Sequence, residues 1–426
     1  MLKSIRIILI IILVVTALAL IFDNARIGDA TQFPEIIAPK SGMWEIQSID
    51  TMKYSRDLAR EKKYDKNFDQ VIEKQIDAIA QTGATHVSIG TPYDPEFMPM
   101  LEKWVRAARK AGLKVWFRGN LSGWEKWFEY REITSVEHIK GITEFILANQ
   151  DLFEDGDIFT SCPECENGAI GDPRENKRVD RFRAFLINEH KAISQIFEQI
   201  GKNVKTNFFS MNGDVARLAM DQATTQSLGN IITIDHHVAD PVKLAEDLKE
   251  FGSENIKLVL GEVGAPIPDI HGPMTEDEQA EWIDQAMREL SQVDNLIALN
   301  YWSNMKGSSA IWNWDMSKRK AVDVLSSYFQ TKHLYGYIYD DFYRPIANTR
   351  VKFNNQEIIT NESGYFELPL VMIDQNQIQI AVDNYNEQTI VIDRTQTQKF
   401  DIKLIKKYKT LAEKLIIYFN QTIIQR

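Results

Sequence analysis

The chain of 426 residues holds only two cysteines, Cys162 and Cys165. A fold stapled by several disulfides is excluded, and two thiols do not by themselves set the redox compartment. Positive charge is not in surplus: 49 lysines and arginines face 60 acidic residues, a formal net charge of −11. That balance argues against a nucleic-acid partner or a generic polyanion ligand. There is no Gly-x-Ser-x-Gly, no Walker loop and no His/Cys cluster at zinc spacing. The common signatures of serine hydrolases, P-loop enzymes and zinc proteins are therefore missing.

What is present begins at the N-terminus. Lys3 and Arg6 precede an apolar run from Ile7 to Phe22, broken only by Thr16 and ended by Asp23. As a helix the run rises roughly 24 Å, somewhat under the ~30 Å hydrocarbon core. With Ile5 and a snorkelling Arg6 it is just long enough to span. The basic flank places the N-terminus inside and the rest outside. A signal-anchor over residues 1–23 and a linker over 24–41 are expected. The competing reading is a signal peptide cleaved after Ala17-Leu18-Ala19, which would leave Leu20, Ile21 and Phe22 on the mature end. Either way the remainder is expected outside the cytoplasm, membrane-anchored or secreted.

From Gly42 to about Gln330, short apolar strands alternate with amphipathic helices. Expected strands are Met43–Ile49, Thr85–Ile89, Lys114–Arg118, Asp157–Ser161, Val204–Phe209, Ile231–Asp235, Lys257–Gly261 and Leu296–Tyr301. Phe68, Val71, Ile72, Ile76 and Ile79 share one helical face. Helices are also expected over Phe97–Gly112, Arg181–Gly201 and Thr275–Ser291, the last opening on a capping-box spacing, Thr275-Glu276-Asp277-Glu278. Eight β-then-α units in this length predict a closed (β/α)8 barrel over residues 42–331. A doubly wound sheet would want a Gly-rich loop after its first strand, where Thr51-Met52-Lys53 stands instead.

Beyond Gln330 the texture changes to short alternating strands separated by Asn, Asp and Gly turns, predicting an all-β antiparallel sandwich over 333–403. Gly336-Tyr337-Ile338-Tyr339-Asp340, Arg344-Pro345-Ile346-Ala347 and Thr360-Asn361-Glu362-Ser363-Gly364-Tyr365-Phe366 resemble the carboxypeptidase regulatory-like, transthyretin-like sandwich family. That resemblance implies an accessory module without chemistry. Residues 404–426 space Leu404, Tyr408, Leu411, Leu415 and Tyr418 as a basic amphipathic helix. It would lie on an anionic membrane surface or pack on the sandwich.

Barrel enzymes carry their chemistry at the C-terminal ends of the strands. Two such ends bear carboxylates: Cys162-Pro163-Glu164-Cys165-Glu166-Asn167-Gly168 after the fourth strand, and Gly261-Glu262-Val263-Gly264 at the end of the seventh. A glutamate directly after a buried strand is costly to bury unpaired, so it tends to face a cavity. Paired carboxylates suit glycosidic cleavage with retention, where one attacks the anomeric carbon and the other protonates the leaving oxygen.

These two segments resemble the strand-end motifs of the clan of retaining (β/α)8 glycoside hydrolases. The resemblance implies that Glu262 is the nucleophile. Glu164-Cys165-Glu166-Asn167-Gly168 is similar to a Glu-Asn-Glu-Tyr-Gly pattern whose second Glu is the acid/base, which implies Glu166 in that role. Cys165 stands where the clan usually has Asn, so Glu164 remains the alternative acid/base. Asn300-Tyr301-Trp302 ends the eighth strand, where the clan commonly has an aromatic floor under the sugar, and Trp302 is the expected platform.

Other expected substrate contacts are Arg118, Asn120, Trp124, Asn167, His236, His237 and Tyr301. Arg118 either bonds sugar hydroxyls, holds the nucleophile ionised or serves a structural ion pair. Trp312 and Trp314 either line subsites or pack their loop. Asp235-His236-His237 also spells a metal-phosphoesterase motif, but the other strand ends offer no convincing further ligands. No metal or organic cofactor is required. Cys162 and Cys165 form a local disulfide or stay as inert thiols. The expected activity is hydrolysis of an O-glycosidic bond in an extracellular glycan. The alternative is a barrel that binds carbohydrate without cleaving it.

Overall fold

The computed structural model describes residues 33–253, 255–411 and 413–414. The anticipated anchor over 1–23 and most of the anticipated C-terminal helix lie outside the described residues. No helix among the described residues is long and apolar enough to cross a membrane. The described residues divide into two compact units, one from Gly42 to Gln330 and a second that joins residues 33–41 to the described residues from Thr331 onward.

The first unit contains eight parallel strands: β1 (Ile46–Asp50), β2 (His86–Ile89), β3 (Lys114–Phe117), β4 (Ile158–Phe159), β5 (Ser210–Asn212), β6 (Ile231–Asp235), β7 (Lys257–Val263) and β8 (Leu296–Tyr301). Ser48 of β1 pairs with His86 on one side and Asn300 on the other, so first and last strands are neighbours. The seam between β4 and β5 is closed by a single bridge, Ile158 to Lys205. There Phe159 N–H donates to Lys205 O at 2.8 Å and Lys205 N–H to Asp157 O at 2.9 Å. The result is the anticipated barrel. The fifth strand, however, is not Val204–Phe209. That stretch is extended and largely buried, but pairing with β6 begins only at Ser210. Its apolar pattern marked burial rather than ladder bonds.

A helix follows every strand: α1 (Lys66–Gln81), α2 (Met98–Lys110), α3 (Ser135–Ala148), α4 (Val179–Gln199), α5 (Gly213–Ala219), α6 (Pro241–Lys249), α7 (Glu276–Leu290) and α8 (Lys320–Phe329). The Thr275/Glu278 capping box forms at the start of α7 in both directions. On α1 the buried set includes Phe68, Ile72, Ile76 and Ile79, so the periodic face is the one turned inward.

Alternation along the strands sorts the barrel interior into layers. Ile46, Trp116, Ile158, Phe208, Ile231, Val259 and Ala298 make an apolar cluster. Two positions on from Trp116, Val259 and Ala298, on the same inward parity, stand Arg118, Gly261 and Asn300. Asp50 and Asp235 lie four on from Ile46 and Ile231. The mouth end of the barrel is thus polar by register, and it floors the site.

The second unit is a two-sheet sandwich. Strands β10 (Arg350–Phe353), β11 (Gln356–Ile359), β13 (Gln377–Ala381) and β14 (Gln388–Val391) form one antiparallel sheet. In the other, β9 (His333–Asp340) pairs antiparallel with β12 (Tyr365–Pro369) but parallel with β15 (Gln398–Lys399) and β16 (Ile402–Leu404). The expectation of a purely antiparallel sandwich is corrected, because the last segment crosses over and returns beside β9 in the same direction. Leu404 belongs to β16, so no helix starts there. The chain turns helical only after Thr410. Glu413 is buried and accepts from Arg344 at 2.6 Å and Lys406 at 3.1 Å. The described part of the expected linker packs on this unit, with Phe33 stacked on Tyr337 at 4.8 Å and Tyr337 Oη donating to Pro34 O.

Candidate active site

At the mouth of the barrel Arg118 follows β3 and is wholly buried. Its guanidinium lies 3.0 Å from Glu262 Oε1, 3.0 Å from Asp235 Oδ2 and 3.4 Å from Asp50 Oδ2. It also donates to Gly261 O at 3.0 Å and Ser210 Oγ at 3.1 Å. Burial works against its charge, but Asp235, Glu262 and Asp50 together overcome this and hold it above the ordinary arginine range.

Glu262 reaches Arg118 because β7 is irregular. The register against β6 shifts so that Asp235 pairs with Glu262, and a second shift against β8 falls between Leu260 and Val263. A bulge of this kind re-aims the side chain that follows it. Gly261 permits it, since a Cβ there would overlap Asp235 Oδ1. Burial raises the Glu262 carboxyl, but the Arg118 charge and then His237 outweigh it, leaving its pKa below the usual range. His237 Nε2 stands 3.7 Å from Glu262 Oε2.

Asp50 and Asp235 share the same arginine yet go the other way. Burial raises both, with the Glu262 charge adding to it, and Asp235 is raised further than Asp50. Of the three carboxyls around one cation, one is thus lowered and two are raised. Asn300 donates to Asp50 Oδ2 at 3.3 Å and to Gly261 O at 2.9 Å, tying β8 into the same layer.

Across the mouth, the loop after β4 brings in Glu164 and Glu166. Glu164 has φ +46°, its N–H donates to Ser210 O at 3.0 Å, and its Oε2 accepts from the exposed Asn167 at 3.1 Å. Burial raises the Glu164 carboxyl, and the next largest cause is the charge of Glu262. Glu166 is raised to about 7, again by burial first, partly offset by the Asn212 N–H that its Oε1 accepts at 2.8 Å. Glu164, not Glu262, is the carboxylate that most raises Glu166. The residue in electrostatic contact with Glu262 is therefore Glu164.

Other anticipated contacts divide. His237, Trp302 and Asn167 keep exposed surface. Trp302 lies edge-on to His237 at 6.1 Å between centroids, and Lys53 Nζ sits 5.3 Å over its ring. Trp302 precedes a cis peptide bond to Ser303. Three of the expected contacts are buried and engaged by neighbouring groups. Asn120 is wholly buried, its Oδ1 occupied by His138 Nε2 at 2.8 Å and by the Leu121 N–H. Trp124 is buried and stacked on Phe185 at 5.1 Å, with Gly168 of the β4 loop against its indole. Tyr301 is buried, its hydroxyl donating to Ser309 O at 2.9 Å. His236 also turns away from Glu262, to Asp247 Oδ2 at 2.8 Å. Asp235, His236 and His237 consequently diverge and do not make one ligand set. Of the loop tryptophans, Trp312 is buried and Trp314 is 73% exposed.

No protein-family model matches the chain, and no curated protein matches it. Solved structures with a similar fold include beta-glucuronidase 2 of Bacteroides uniformis, at 8% identity and TM-score 0.46, covering 84% of this chain and 46% of that one. A GH5_18 protein of Bifidobacterium longum subsp. longum is 15% identical at TM-score 0.49, covering 71% of this chain and 85% of that one. A GH5_18 protein of Streptomyces cattleya, in complex with GlcNAc, is 14% identical at TM-score 0.49, with coverages of 71% and 85%. This chain spans under half the length of the glucuronidase.

Several site residues were not singled out from the sequence. Asp50 and Asn300 carried a usable signal, being polar residues on inward parity at strand ends. Glu125 did not. It lies in a short helix after β3, accepts from Asn120 at 3.3 Å, and is raised to about 7 by burial, with Arg56 opposing and Glu164 adding.

Proposed function

We propose that the barrel is a retaining glycoside hydrolase in which Glu262 is the nucleophile and Glu164 the acid/base. What carries this is the opposed direction in which the surroundings push two carboxyls that feel each other's charge. Arg118 at 3.0 Å draws the Glu262 carboxyl below its usual range, while burial and then the Glu262 charge push the Glu164 carboxyl above its own against the pull of Arg118. Pairs of acids whose environments separate their pKa values divide into a base or nucleophile and an acid. Glu262 attacks the anomeric carbon while Glu164 gives its proton to the departing oxygen. Glu164 then takes a proton from the water that displaces Glu262. Glu166, expected from motif likeness to be the acid/base, bonds to the β5 end at Asn212 and takes a supporting place. Trp302, whose ring lies edge-on to His237 beside Glu262, supplies an apolar face for the sugar. The substrate is a glycan outside the cytoplasm, a location supported by the basic-then-apolar N-terminus and by a buried disulfide.

Incubation with a panel of 2-deoxy-2-fluoroglycosyl fluorides, followed by peptide mass spectrometry, tests the assignment. A stable adduct on Glu262 is expected. An adduct on another carboxylate overturns the assignment, and binding of glycans with no adduct from any sugar favours the non-catalytic barrel.

A further inference from the structure

The β4 loop carries a feature the proposed chemistry does not use. Cys162 and Cys165 are joined as a disulfide, both wholly buried, and the residues they enclose are Pro163 and Glu164. Glu164 holds a left-handed backbone at φ +46°. Such a conformation is unfavourable for a non-glycine residue and persists only where the surroundings impose it. The bridge is one such constraint, since it ties the residues on either side of the Pro163-Glu164 step. The ladder-like bond from Glu164 N–H to Ser210 O is another.

Beneath the bridge lies a buried polar chain. Cys162 Sγ is 3.9 Å from Glu189 Oε2, and Glu189 Oε1 is 3.0 Å from His138 Nδ1, with Glu189 and His138 wholly buried. His138 continues to Asn120, and Asn120 to Glu125. The disulfide is therefore seated on groups fixed by α3 and α4, and it is not a surface clasp.

We infer that the Cys162–Cys165 bridge is a positioning element for the acid/base: it holds Glu164 opposite Glu262 in the orientation that delivers its proton. This rests on the glycosidase reading above. Acid assistance matters for a poor leaving group and little for one that departs unaided, so losing the bridge should discriminate between them. It should also expose deglycosylation to rescue. Azide attacks the anomeric carbon of the glycosyl–Glu262 ester, breaks that C–O bond, frees the carboxylate and needs no proton removed.

The test uses the full chain as wild type, as Cys162→Ala/Cys165→Ala, and as wild type reduced by a phosphine. The sugar is whichever one labels Glu262, presented as its phenyl and its 2,4-dinitrophenyl glycoside. Both bridge-less forms should turn over the phenyl glycoside on the order of 10- to 100-fold more slowly. Their release of dinitrophenol in the first turnover should be little changed, and azide should accelerate subsequent turnovers and yield the glycosyl azide. Equal losses on both substrates, or none on either, would overturn the inference while labelling of Glu262 still stands. Failure of every sugar to label wild type overturns the glycosidase reading and this inference with it.

Discussion

A buried guanidinium shared by three carboxyls leaves the barrel mouth with more acid than base, and the Asp50 and Asp235 carboxyls are raised where that of Glu262 is lowered. Removing Arg118 would leave Glu262 buried without its cation. Arg118→Met is expected to move the acidic limb of the pH–activity profile upward and to cut turnover at pH 6 by about 100-fold. It should also destabilise the protein by about 3–5 kcal/mol, the usual cost of stranding a buried charge. Kinetics across pH and a thermal melt check both effects. The two β4-loop glutamates part company in a second experiment. Glu164→Gln should abolish the alkaline limb and slow a phenyl glycoside about 1,000-fold, whereas Glu166→Gln should cost about tenfold or less. If Glu166→Gln has the larger effect, the role reverts to the residue expected from the motif.

Glu125 and Glu166 also couple the site to stability. Both carboxyls are raised from 4.5 to about 7 in the folded chain. They bind protons more tightly folded than unfolded. The stability they lend is complete below about pH 4.5 and is lost as pH rises through about 7, about 3 kcal/mol for each. Glu125→Gln should therefore flatten the fall in melting temperature between pH 5 and pH 8, a scan that a pH-independent variant would leave parallel to wild type.

At the level of elements, the bulge in β7 decides whether Glu262 serves the site at all. Gly261→Ala places a methyl group on Asp235 Oδ1, with Ser210 and Thr233 carbons each 3.1 Å away. A cost of about 1–3 kcal/mol is expected, together with loss of Glu262 labelling as the strand shifts to relieve the overlap. Retained labelling at wild-type rate would show that the bulge tolerates a side chain. The sequence made the barrel strands other than the fifth and most helix ends readable, because alternation and caps are local. The Thr275-x-x-Glu278 spacing became the α7 cap it promised. The bulge was not readable, since periodicity presumes a regular pleat, although a glycine inside an apolar strand is the mark such irregularities leave. Trp124 and Asn120 were placed at the right strand end but turned inward. Sequence position names the end of a strand and not the direction of a side chain in the loop beyond it.

Over the whole molecule, the switch at Gln330 from helix-and-strand alternation to short strands coincides with the division into two units. The return of β15 and β16 alongside β9 had no sequence signal, because pairing direction leaves no trace in alternation. Nor did the attachment of residues 33–41 to the second unit, where Phe33 and Pro34 meet Tyr337. The barrel itself is not uniform around its circumference. The β7–β8 and β1–β8 ladders run over several residue pairs, whereas β4 meets the segment leading into β5 through one bridge, Ile158 to Lys205. Amide protons on Phe159 and Lys205 should accordingly exchange with deuterium well before those of β8, although Phe159 is wholly buried. The least-stitched seam is also the one from which the Glu164 loop departs. A cylinder that parts there first would loosen along a single line rather than as a whole wall, and that line runs into the loop on which Glu164 is carried.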